Sequence, residues 1–108
     1  MNQKIEMIEL NDDNFLSTIE GKDVCLVDFH ASWCGSCRVS APMFLKLANE
    51  ANVPIYKIEV EKNVKVKEMI TLPGLPSVGV FKKGEPVDLI NTSKEESFRE
   101  FLQKNGLL

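Results

Sequence analysis

Residues 24–29 read Val-Cys-Leu-Val-Asp-Phe, an almost continuous apolar run. A run of this kind is expected of a central strand covered on both faces, which calls for a sheet with a layer of structure above and below it. The run gives way to Ala31, Ser32, Trp33, Cys34 and Gly35, and a helix follows immediately.

On either side of this strand the hydrophobic period alternates between two and 3.6 residues. Residues 4–10 alternate Ile5 and Met7 with polar neighbours and read as a strand. Asn11 then caps a helix carrying Leu16 and Ile19 on one face and ended by Gly21. The helix after Cys34 presents Val39, Met43, Phe44, Leu47 and Ala51 at helical spacing. It contains Pro42, which removes one backbone hydrogen bond and is expected to kink it. Residues 53–60 form an apolar strand containing Lys57, and residues 63–70 a short helix with Val64, Val66 and Met69. Residues 78–81 are a strand that turns at Lys83 and Gly84 into a returning strand at residues 87–90. Ser93 and Glu96 make a capping box for a last helix with Phe98, Phe101 and Leu102 as its buried stripe, closed by Asn105 and Gly106. The resulting order is βαβαβαββα. Early crossovers long enough for parallel pairing and a tight hairpin late predict an α/β fold, a mixed central sheet with helices on both faces.

A chain of 108 residues, 44% hydrophobic and 27% charged, has the composition of one soluble domain. It buries roughly 65% of its unfolded surface, enough for a core without disulfide staples or a structural metal. A cysteine pair is therefore free for another purpose. The net charge of -3, from 13 basic and 16 acidic residues, gives no field to gather a phosphate backbone or an anionic membrane, so nucleic acid and membrane are not expected partners. No apolar stretch approaches the roughly 18 residues of a membrane span. Residues 1–10 mix Lys4, Glu6 and Glu9 among apolar residues rather than forming a leader, and a cytoplasmic protein is expected. Three cysteines without a secretory signal argue for a redox pair plus one spare.

Trp33-Cys34-Gly35-Ser36-Cys37-Arg38 sits where the central strand hands over to the helix. Free N–H groups and the positive dipole end there stabilise a thiolate, making Cys34 the nucleophile. Cys37, within the first turn, is close enough to attack a mixed disulfide on Cys34 and release a reduced substrate. A zinc site would need two further ligands, for which the chain offers Cys25 and His30 without a second spaced pair, and an iron–sulfur cluster is also short of thiolates. No metal and no cofactor is implied, because two sulfurs carry the electrons. Asp28 stands among Leu26, Val27 and Phe29, where desolvation should raise its pKa unless it is paired. That suits either proton transfer or a merely satisfied buried pair with a lysine.

The chain resembles the thioredoxin family over nearly its whole length. The resemblance rests on Val27, Asp28, Phe29, on Ala31 through Cys37, on Ala41 and Pro42, on Lys57, on Leu75, Pro76, Ser77, and on Phe81 through Glu85. It implies a single thioredoxin domain over residues 1–108 and a thiol–disulfide oxidoreductase that reduces protein disulfides as an electron carrier in cell redox homeostasis. It further implies that Asp28 lies behind the cysteines and helps deprotonate Cys37, with Lys57 modulating it. By the same resemblance the Leu75–Pro76 bond is cis and faces the cysteine pair, leaving the Leu75 backbone to bind an extended substrate segment. Trp33, Gly35, Ser36, Gly74, Leu75 and Pro76 then form the substrate-binding rim. The implied partners are a thioredoxin reductase or another electron donor and disulfide-containing client proteins, and the protein acts as a monomer.

Four departures from the family pattern stand out. Ser36 replaces the commonest proline, Arg38 replaces lysine, and His30 stands where an aromatic is usual. Residues 90–93 lack the usual glycine. They leave open a specialised oxidant or isomerase, or a docking subunit on the same fold. Cys25 is expected to be an inert small hydrophobe.

Overall fold

The computed structural model describes residues 4–108, so the first three residues of the opening segment, and of the expected 1–108 domain, lie outside the described part. The described residues follow the predicted order: β1 (Ile8–Leu10), α1 (Phe15–Glu20), β2 (Cys25–His30), α2 (Gly35–Ala51), β3 (Ile55–Glu59), α3 (Val64–Met69), β4 (Ser77–Lys82), β5 (Glu85–Asn91) and α4 (Glu95–Lys104). The strands form one sheet ordered β1-β3-β2-β4-β5, with β2 at its centre. β1, β3 and β2 run parallel, whereas β4 is antiparallel to β2 and β5 to β4, giving the mixed sheet.

Alternation along β2 divides the core in two. Cys25, Val27 and Phe29 pack with Phe15 and Ile19 of α1 and Val66 of α3. Leu26 packs on the opposite face with Phe44 and Leu47 of α2 and Phe98, Phe101 and Leu102 of α4. Both faces of the central strand are thereby covered, and its apolar run is explained. Phe44 and Phe98 meet edge to face with ring centres 4.9 Å apart, joining α2 to α4 beneath the sheet. The β4–β5 hairpin turns at Lys83 and Gly84, both at positive φ (49° and 84°), as a two-residue turn matched to strand twist requires.

Several local expectations are corrected. β1 is only three residues long: the Ile5 backbone is engaged instead by the Asn49 side chain of α2, which accepts its N–H at 2.6 Å and donates to its carbonyl at 3.1 Å. Asn11 caps a turn rather than the helix, accepting the N–H groups of Asp13 and Asn14, and α1 starts after Asn14. Its buried pair is Phe15 and Ile19, with Leu16 exposed. Val39 is 81% exposed because the inward stripe of α2 is Cys37, Ser40, Phe44, Leu47 and Ala48. Val39 lies about 100° around the helix from Ser40. On α3 only Val66 is buried; Val64 and Met69 face outward. The capping box of Ser93 and Glu96 does not form: α4 begins after Lys94, whose N–H donates to the Thr92 hydroxyl at 3.1 Å. α2 continues through Pro42.

Truncating Phe44 should open a cavity between α2 and α4. Phe44→Ala is expected to lose about 3–5 kcal/mol in urea denaturation, and a loss below about 1 kcal/mol would contradict the shared core described for these helices.

Candidate active site

Four residues separate the end of β2 at His30 from the start of α2 at Gly35, and Cys34 occupies the N-cap of that helix in an extended conformation (φ -89°, ψ 99°). Its Sγ accepts the Cys37 N–H at 3.2 Å and lies 3.5 Å from the Ser36 hydroxyl. Arg38 steadies the approach to this turn by donating from Nη1 to the Ser32 carbonyl at 2.9 Å. Cys34 and Cys37 are joined as a disulfide, their Cα atoms 5.3 Å apart. Exposure does not distinguish the two sulfurs, since Cys34 is 5% and Cys37 3% exposed. Hydrogen bonding does: a free helix N–H and a hydroxyl converge on Cys34, and both favour a thiolate there once the disulfide opens. Trp33 beside it is 67% exposed, and Gly35 and Ser36 are exposed at the helix start.

Three register partners bring ionisable groups onto one face of the sheet. Glu9 of β1 pairs with Lys57 of β3, which pairs with Asp28 of β2. That is the face carrying Leu26, over which α2 packs. Asp28 is buried, and its Oδ1 has no hydrogen-bond partner among the described residues. Burial pushes its pKa up to about 7, with Lys57 pulling it down and Glu9 pushing it further up. An unpartnered carboxyl oxygen beneath the helix that starts at the cysteines can exchange a proton near neutral pH. Glu59, two residues past Lys57, is a second buried carboxyl with an unpartnered oxygen, Oε2. Sequence reasoning missed it, because a lone glutamate at the end of an apolar strand reads as an exposed tip.

The third component is the loop before β4. Leu75–Pro76 is cis, in keeping with the resemblance, and Gly74 and Leu75 are half-buried while Pro76 is buried. The Asn91 amide donates to the Pro76 carbonyl at 2.7 Å, and the Ser77 hydroxyl donates to the Gly74 carbonyl. Ser77 and Asn91 face each other across the β4–β5 hairpin, so the strand pairing that builds the sheet edge also fixes this loop. That Ser77 and Asn91 hold this loop went unread in the sequence; the hairpin register carried the signal. Ser36, Leu75 and Pro76 line one open groove together with Asn91, Thr92, Ser93, Lys94 and Ser97.

Cys25 and His30 do not complete a metal site with the pair, for alternation along β2 turns them to opposite faces. Among the described residues no three His, Cys, Asp or Glu side chains are grouped so that they could hold a metal ion. Burial pushes the Cys25 thiol up to about 11, against the pull of Lys22, which leaves it neutral and unreactive at pH 7.

The sequence matches the thioredoxin family model over residues 6–104. It is 34% identical to thioredoxin of Staphylococcus haemolyticus over 92% of this chain and 97% of that protein. Among solved structures it superposes on Plasmodium falciparum thioredoxin with a TM-score of 0.83 at 24% identity, covering 91% of this chain and 98% of that one. It also superposes on a chain from the complex of ferredoxin:thioredoxin reductase with thioredoxin f2, with a TM-score of 0.85 at 18% identity over 94% of this chain and 96% of that one. No helix among the described residues is long and apolar enough to cross a membrane.

Asp28 makes stability depend on pH in a defined direction. Its folded-state pKa lies above the unfolded value, so the stabilisation from its proton is complete below about pH 4 and is lost as the pH rises through 7. Asp28→Asn removes this titration. Parent and variant should be similarly stable near pH 4, and at pH 8 the variant should be more stable by several kcal/mol, on the order of 4. Denaturant midpoints at both pH values measure the gap, and a gap that does not change with pH contradicts the raised pKa.

Proposed function

The chain belongs to the thioredoxin family and is a thiol–disulfide oxidoreductase, and from that premise we propose that it reduces the disulfides of client proteins in the cytoplasm. The observation that carries this reading is Cys34 at the N-cap of α2 with the Cys37 N–H on its sulfur. In the dithiol form the Cys34 thiolate attacks one sulfur of a client disulfide. That S–S bond breaks, a Cys34–client bond forms, and the second client sulfur leaves as a thiolate that takes a proton from solvent. Asp28 then accepts the Cys37 proton, and the Cys37 thiolate attacks Cys34 Sγ. The Cys34–client bond breaks, the client leaves fully reduced, and the Cys34–Cys37 disulfide holds the oxidation equivalent. Two electrons have passed from the two cysteines to the client.

Lys57 modulates Asp28 from the neighbouring strand: its charge opposes the desolvation that raises the carboxyl, which keeps Asp28 titrating near neutral pH. An extended client segment lies along the groove of Ser36, Leu75 and Pro76, with Trp33, Gly35 and Gly74 as its rim. Main-chain groups of Leu75 supply contacts that do not depend on client sequence. A reductase returns the disulfide to the dithiol. The superposition on a chain from a complex of thioredoxin f2 with its reductase supports a partner of that kind. The proposed residues all come from one chain, which supports action as a monomer, and the net charge of -3 gives no reason to invoke nucleic acid or membrane partners.

A second reading, disulfide donor or isomerase, is favoured by one observation. The Ser36 hydroxyl lies 3.5 Å from Cys34 Sγ, and a donor there stabilises the thiolate and so makes the disulfide more oxidising.

Reduction of a protein disulfide by stoichiometric dithiol protein separates the roles of the cysteines. Cys34→Ser is expected to abolish reduction. Cys37→Ser should instead accumulate a client-linked species visible by mass spectrometry under non-reducing conditions. A docking subunit that never turns over would behave alike in both variants, which would overturn the enzymatic reading of this pair.

A further inference from the structure

The ionisable row that ends on Asp28 has a fourth member. His30 lies two residues beyond Asp28 on β2 and on the same face. Its Nε2 is 3.0 Å from Glu9 Oε2, while the other oxygen of the same carboxylate, Oε1, is 3.9 Å from Lys57 Nζ. Glu9 reaches across β3 to His30 with one oxygen and faces with the other the lysine that serves Asp28. Histidine is the side chain that changes charge near neutral pH.

We propose that His30 is a positioning residue that sets the pH range over which Asp28 accepts the Cys37 proton, acting through Glu9 and Lys57. With the ring neutral, the Glu9 charge competes with Asp28 for Lys57. With the ring protonated, Glu9 is balanced at His30, and Lys57 is left to hold Asp28 as a carboxylate. Falling pH protonates Asp28 and ends its service as a base; a charged ring at His30 opposes this and extends reduction into mildly acidic conditions. The inference rests on Asp28 being the acceptor for Cys37.

The surrounding groups leave room for this coupling. Lys57 and Glu9 face Asp28 from β3 and β1, and its partner on β4 is the apolar Val78. His30 faces Glu9 and, from β3, its register partner Glu59. α2 turns Cys37 and Ser40 inward, while its Lys46 and Glu50 are engaged outward with Glu95 and Arg99 of α4 and its Arg38 is held at the Ser32 carbonyl. Glu9 is exposed and Lys57 half-buried, so solvent screens the coupling. Through space, two charges about 7 Å apart along a strand in a water-like medium shift one another by roughly 0.5 pH units, and the part of the shift that depends on Glu9 separates the network from this direct effect.

The test follows the Asp28 carboxyl carbon by NMR across pH in the dithiol form of the full chain, in the parent, His30→Gln, Glu9→Gln and the double variant. His30→Gln keeps a neutral hydrogen-bonding side chain and should raise the Asp28 midpoint by about 0.5 units. Glu9→Gln, at an exposed position, should lower it, and the His30→Gln effect should shrink in the Glu9→Gln background. Single-turnover reduction of a small disulfide should slow about threefold at pH 6 in His30→Gln and stay unchanged at pH 8.5. An unmoved midpoint, or one that moves equally with and without Glu9, overturns the network whatever the rate does. A moved midpoint with an unmoved rate leaves the network standing and overturns the proposal through its premise, the role of Asp28 as base.

Discussion

Everything in this molecule depends on β2 lying in the middle of the sheet. Leu26, Val27 and Phe29 have no exposed surface, and they are fully covered only because β3 and β4 close the edges while two helical layers close the faces. A strand so enclosed is a rigid base, and the chain that leaves it enters α2 after four residues. Cys34 is delivered by that handover to the helix N-terminus, where N–H groups lack partners within the helix. The same enclosure makes the single polar interruption of the strand expensive. Asp28 is held away from water with one oxygen unpartnered, and its raised pKa follows from that position.

The thiolate site and the buried acid therefore use opposite physics within six residues of sequence. At Cys34, hydrogen-bond donors favour the charged form of the sulfur; at Asp28, desolvation favours the neutral form of the carboxyl. In the proposed mechanism the first property serves attack by Cys34, and a carboxyl that changes charge near neutral pH serves uptake of the Cys37 proton before resolution. Lys57 and Glu9 act on the Asp28 carboxyl from neighbouring strands, placed there by parallel register rather than by proximity in sequence.

What was legible in the sequence is what local chemistry decides. The apolar run of β2, the Lys83-Gly84 turn, the stripe of Phe98, Phe101 and Leu102, and the cysteine pair after the central strand are each encoded by adjacent residues. What failed was decided by partners that the hydrophobic pattern does not show, most of them distant. The Ile5 backbone is taken by Asn49 on α2, so the first strand starts late. Val39 reads as core by type, yet Cys37 and Ser40 hold the inward positions because that flank of α2 faces the site. Thr92 captures the N–H that a Ser93 cap would have left to the helix. Asn91 and Ser77 hold the Pro76 loop only once the hairpin register is known, and Glu59 is buried by its neighbours rather than by its own chemistry.

The direction in which this pair moves electrons is the central claim, and a redox equilibrium addresses it most directly. The protein would be equilibrated in buffers of graded reduced and oxidised thiol, with the fluorescence of Trp33, next to Cys34, as the reporter. A single reversible two-electron transition at or below the cytosolic glutathione poise of roughly -220 to -260 mV is expected for a disulfide reductase. A transition at a clearly more oxidising potential, or no reversible transition, would contradict it.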